Sequence, residues 1–216
     1  SCYKFFLEFE PHNIFIGATP EKLFSLRGKA FDTMALAGSA PRGATPEIDA
    51  TLGAELLSSE KNLNEHKLVV NEIIENLQAY STDLQFEQSP KLAKYNSVQH
   101  LKSKISGVLD SDYDILDIIK FLHPTPALGG SPKERALEII HELEDYSRGW
   151  YGAPVGWIDA NWQGEFYVGI RSALIVDNEA RLYAGAGIVD GSIAQEEWDE
   201  TETKLSPMLN AIEGIQ

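Results

Sequence analysis

From about Glu47 to Tyr80 the apolar residues recur at helix spacing, with Leu52, Leu56, Leu63, Val69, Val70, Ile73 and Leu77 on the repeat. The flanking segments alternate as strands do. Tyr3–Phe9, Asn13–Gly17 and Lys22–Leu26 predict short strands, with another running from Arg27-Gly28 toward Ala37. A short helix is expected over Tyr113–Leu122. Ser131-Pro132-Lys133-Glu134 then predicts a helix start with a Ser cap and Pro at the first position, running to about Tyr146. Gly152–Asn161, Gly164–Val176 and Arg181–Gly187 predict an antiparallel meander, and a last helix covers about Gln195–Ile212. Blocks of strands separated by helices imply an α+β fold of mostly antiparallel sheet with helices on the outer faces. No linker or repeat divides residues 1–216, so a single domain is expected.

Composition narrows the function classes. Acidic residues number 33 against 18 basic, a net charge of −15, which repels nucleic acid and anionic membranes. An anionic ligand then needs a local cation, either placed Arg and Lys side chains or a metal. No apolar run approaches the ~20 residues of a membrane span, and the first residues do not read as a signal peptide. A single cysteine, Cys2, excludes an internal disulfide framework, and a reducing cytoplasm is the simplest setting.

Several residues admit both a structural and a chemical reading. Glu65 shares a helix stripe with Val69 and Ile73, so it either packs its stem with a wet head or meets a metal. Glu200 and Lys204 suit a surface pair four residues apart, or a metal ligand beside a carboxylate-binding lysine. AGAGIV (Ala184–Val189) is a tight strand end, or backbone able to approach a ligand closely. Arg171 lies within an apolar strand pattern, on a wet face or held for bidentate carboxylate recognition. The five histidines show no metal-ligand spacing, and no phosphate loop or nucleophile elbow is present.

Together the segments GATPEKLF, LAGSAPRG, LLSSEKNLNEHKLVV, VQHL, HPTPALGG, YGAPVGW, FYVGIRSALI, YAGAGIV and EEWDETETKL resemble, in order, the chorismate-utilising enzymes. The resemblance implies that Glu65 and Glu200 hold Mg²⁺, and that Glu21 is the general acid for the departing C4 hydroxyl. It implies that Arg171, Gly185 and Lys204 bind the carboxylates of chorismate. Gly38 and Ser39 would flank the ring and His100 its carboxylate, with Ala127 and Leu128 lining the nucleophile and pyruvyl side. Ala37 stands where the aminodeoxychorismate synthases carry a nucleophilic lysine, so water is the expected nucleophile. KLVVNEIIEN departs from the LVDLxRND continuation common in anthranilate synthases. Ala127-Leu128 resembles the isochorismate synthases, with salicylate synthases as the alternative and a non-catalytic chorismate-binding protein as a rival. Menaquinone supply is the expected use, ahead of siderophore synthesis.

Family members also carry a long upstream portion that adds strands and holds a lysine base in a KVVLSR-like context. No such segment is in this sequence. The expectation is therefore a C-terminal portion of the fold, able to pair with the upstream part or self-associate. Lys4 and Lys22 lack the context of the base, and none is assigned.

Overall fold

The computed structural model describes residues 2–110 and 112–214. It is α+β, and its strands form two sheets in which every pairing is antiparallel. The first sheet joins two hairpins, β1 (Tyr3–Glu10) with β2 (Asn13–Thr19) and β10 (Ser172–Val176) with β11 (Glu179–Tyr183), in the order β1-β2-β10-β11. The second is built from β3 (Lys22–Arg27), β4 (Ala30–Pro41), β5 (Ser81–Phe86), β7 (Val98–Leu109), β8 (Pro154–Ile158) and β9 (Gly164–Val168). Its order is β5-β7-β4-β3-β9-β8, and β6 (Lys91–Lys94) adds to β7.

Helices cover the second sheet. α1 (Pro46–Ser58) and α2 (Glu60–Gln78) replace the single helical run expected over Glu47–Tyr80. The break falls at Ser59, whose hydroxyl accepts from the Asn62 backbone N–H and so caps α2 in place of continuing α1. α2 then buries Val69, Val70, Ile73 and Leu77 against the sheet. α3 (Ile115–Leu122), started by an Asp114 capping box, adds Ile115, Ile118, Ile119 and Leu122 to the same cluster. At ~25 cal/mol per Å² of apolar burial, stripes of this kind hold helices to a sheet more firmly than propensity does. α4 (Pro126–Gly129), α5 (Lys133–Leu143) and α6 (Ala194–Glu213) complete the helices of the described residues. Ser131 is not a cap as expected: α5 begins after Pro132 with no side-chain cap. No helix among the described residues is long and apolar enough to cross a membrane.

The expected strand Gly164–Val176 is in fact two strands in different sheets. β9 ends at Val168, and β10 begins at Ser172 in the first sheet. Arg171 lies in the break with φ +51°, a left-handed conformation that a regular strand cannot contain. The chain also crosses between the sheets at Pro20-Glu21, after β2. The two crossings are stitched side by side: Ala18 N–H donates to the Arg171 carbonyl at 3.0 Å, and Val168 N–H to the Glu21 carbonyl at 3.0 Å. Glu21 and Arg171 therefore meet at the seam between the sheets, although 150 positions separate them in the chain.

Candidate functional site

A cleft of about 520 Å³ opens at this seam. It is lined by Glu21, Gly38, Ser39, Glu65, His100, Ala127, Leu128, Arg171, Gly185 and Lys204. Glu200 lines an adjoining cavity of about 340 Å³, which shares Ser39 with the cleft. All the residues singled out in the sequence thus gather in one region.

Glu21 is buried, and its carboxylate accepts from the Thr125 hydroxyl at 3.3 Å. Loss of hydration outweighs that hydrogen bond and the attraction of Lys204 and Arg171, and pushes the carboxyl up to about 7. Such a group holds its proton near neutrality and can deliver it within the cleft. The proline-bracketed segment that carries Thr125 also presents Ala127 and Leu128, on α4.

Arg171, buried apart from 8% of its surface, donates to the Lys204 carbonyl at 3.2 Å and to His100 Nε2 at 3.1 Å. A guanidinium only donates, so His100 Nε2 is an acceptor and Nδ1 carries the proton. Nδ1–H then donates to the Ser39 hydroxyl oxygen at 2.9 Å, leaving the serine's own proton free to donate elsewhere. Burial, then the charges of Arg171 and Lys204, holds His100 down at about 3, so the ring stays neutral. Ser39 is aimed by Gly38, a bulge in the β4–β7 pairing. Gly38 has φ +76°, and a Cβ there would meet Asn62 Cβ and Leu101 Cδ1 at 3.2 Å.

Lys204 makes more than one polar contact. It pairs with Glu200 at 2.5 Å, and its ammonium also donates to the Gly185 carbonyl at 2.8 Å while facing the cleft. β11 ends at Tyr183, so Ala184–Val189 is irregular backbone beyond the strand. That backbone comes close to Glu65, whose Oε1 lies 2.8 Å from where a Cβ on Gly187 would stand.

The half-buried Glu65 carboxyl is raised by burial first and by Glu200 second, so the two acids feel each other across the site. A weak 3.4 Å contact from Gly38 N–H is the hydrogen bond Glu65 receives. Two like charges brought together in this way suit a cation between them. No group of three or more His, Cys, Asp or Glu is assembled as a metal site among the described residues. Two carboxylates alone fit Mg²⁺, which keeps several waters or substrate oxygens, better than the fuller protein ligand set of structural zinc.

Other residues here were not singled out by sequence. Tyr151 reaches the cleft, stacks on Tyr183 with centroids 5.4 Å apart, and is pushed up to about 12 by burial. Lys61 and Glu197, inside quoted segments, form an ion pair beside Glu200. Nothing local distinguishes these residues, because their contacts come from distant parts of the chain. Lys22 is committed to Asp32 at 2.9 Å, and the Lys4 side chain is exposed.

Comparison with known proteins finds relatives over nearly the whole chain. Isochorismate synthase MenF of Bacillus subtilis is 47% identical over 214 residues, 99% of this chain and 45% of that protein. The salicylate biosynthesis isochorismate synthase of Pseudomonas aeruginosa is 42% identical over 93% of this chain and 42% of its own length. The solved structure of MenF, the menaquinone-specific isochorismate synthase from Escherichia coli, superposes with a TM-score of 0.89 at 36% identity. That superposition covers 100% of this chain and 49% of the other. The chain spans about half the length of the relatives it matches. The family model for chorismate binding enzymes matches residues 1–213, and the chain belongs to that family.

Proposed function

We propose that this chain supplies the chorismate-binding cleft of an isochorismate synthase, converting chorismate to isochorismate, with menaquinone supply as its use. The observation that carries this reading is Glu21: a buried carboxyl near pKa 7, facing a cleft that also presents Arg171 and Lys204. Isochorismate synthases at 40–47% identity, among them the Bacillus subtilis MenF, support the choice of reaction, and the likeness to the menaquinone-specific MenF of Escherichia coli supports the pathway.

Chorismate is a dianion, and the cleft of this acidic chain holds Arg171 and Lys204 for it. Arg171 keeps free N–H groups beyond those used on Lys204 and His100, enough for a bidentate carboxylate contact. Glu65 and Glu200 would hold Mg²⁺, which supplies positive charge to a substrate carboxylate near the reacting carbons. Glu21 donates its proton to the C4 hydroxyl, which leaves as water. A water molecule adds at C2, the ring double bonds shift, and the proton lost from that water restores the balance. Ser39, with its own proton free, donates to the substrate side, and Ala127 and Leu128 shape the wall beside the pyruvyl group. The base that takes the proton from water is not assigned to any residue of this chain.

Chromatography of products after incubating the protein with chorismate and Mg²⁺ tests the reading. Isochorismate that disappears with EDTA is expected. Salicylate with pyruvate would transfer the assignment to salicylate synthase, and unchanged chorismate would favour a non-catalytic binding protein.

A further inference from the structure

The two carboxylates proposed for the metal stand on different helices, Glu65 on α2 and Glu200 on α6. Those helices pack mainly on other elements: α2 on β4, β5 and β7, α6 on β11 and β4. Both rest on β4, so their separation beside the two acids depends on that strand and on the side chains that bridge them. One helical turn before Glu65 is Lys61, and one turn before Glu200 is Glu197. The Lys61 ammonium donates to the Glu197 carboxylate, the only ion pair between α2 and α6 among the described residues. Each helix thus contributes two successive turns to a two-rung ladder. One rung is an ion pair, and the next is the facing pair Glu65 and Glu200.

The ion-pair rung is well sheltered. Glu197 is 5% exposed, and its second oxygen has no hydrogen-bond partner. Without Lys61 this carboxylate would be buried and uncompensated, which strongly disfavours the arrangement.

We propose that Lys61 is a positioning residue: by pairing with Glu197 it sets the separation of α2 and α6, and so the spacing of Glu65 and Glu200 for Mg²⁺. This rests on the metal role proposed for those two acids. It opposes a simpler expectation. Lys61 lies within electrostatic reach of Glu65 and Glu200 as well as Glu197. As a mere neighbouring cation it would repel Mg²⁺, and its removal would tighten metal binding. As a spacer, its removal weakens binding, in the way that loss of an outer contact to metal ligands costs ~10–100-fold in affinity.

The sign decides. Magnesium chloride alone is titrated calorimetrically into the protein and its variants, with melting temperature recorded as a check on folding. Lys61→Met is expected to bind Mg²⁺ at least ~10-fold more weakly, and Lys61→Arg, which keeps the ion pair, to recover most of the affinity. In Lys61→Met/Glu197→Gln the uncompensated charge is gone, so melting should recover while metal affinity stays low. Unchanged or tighter binding by Lys61→Met, in a protein whose Glu65→Gln variant has lost Mg²⁺, would overturn the spacer role alone. Mg²⁺ binding that survives Glu65→Gln would overturn the metal assignment and this proposal with it.

Discussion

Glu21 is a residue whose chemistry follows from where the backbone leaves it. Its folded pKa of about 7 lies above the ordinary 4.5 because burial outweighs Thr125, Lys204 and Arg171. The folded state therefore binds this proton more tightly than the unfolded chain does. Its contribution to stability is full below about pH 4.5 and is lost as the pH rises through about 7. At ~1.4 kcal/mol per pH unit between those values, the loss by pH 8 is on the order of 3 kcal/mol. Glu21→Gln removes the titration. Melting curves should show the variant more stable than the parent at pH 8, with the advantage gone at pH 5, while turnover is abolished at both. Curves that stay parallel from pH 5 to 8 would contradict a buried, protonated Glu21. The parent's own turnover should decline above about pH 7, as the acid loses its proton.

At the scale of elements, Ser59 is the joint that ends α1 and starts α2, and so sets where Glu65 falls along its helix. Its hydroxyl accepts from Asn62 N–H at 3.4 Å and from the Asn62 side chain at 2.9 Å. Ser59→Ala should cost about 1 kcal/mol in urea unfolding, and loss of nothing would show the cap to be idle. The same joint shows where sequence reading stops. Leu52 through Leu77 carry helix periodicity on both sides of the break, so period alone merges the two helices. Strand periodicity likewise merged β9 with β10, because the left-handed turn at Arg171 leaves no glycine or proline at that residue as a marker. β7 is not legible as a strand, since Gln99, His100 and Ser103 are polar yet buried and blur its alternation. The helical character of residues 47–80 is legible in the sequence, as are α3 and α6 as separate helices. The site was legible residue by residue through the family resemblance, but its wiring was not. The Arg171–His100–Ser39 chain and the Lys61–Glu197 rung join positions 39 to 197 through contacts that no local pattern encodes.

The whole molecule is acidic, and its cleft sets basic side chains beside acidic ones. A net charge of −15 surrounds a cleft in which Arg171, Lys204 and the nearby Lys61 gather. The sheet crossings at Pro20-Glu21 and Gly169–Arg171 create that cleft, so architecture and site have one origin. In the proposed account a dianion enters only because these cations, together with Mg²⁺ held by Glu65 and Glu200, offset the surrounding charge. The most direct test is calorimetric titration of chorismate into the protein, in magnesium buffer and in EDTA. The account predicts that binding falls by ~10-fold or more in EDTA, and equally in the Glu65→Gln variant with Mg²⁺ present. Chorismate affinity that is the same with and without Mg²⁺ would contradict it.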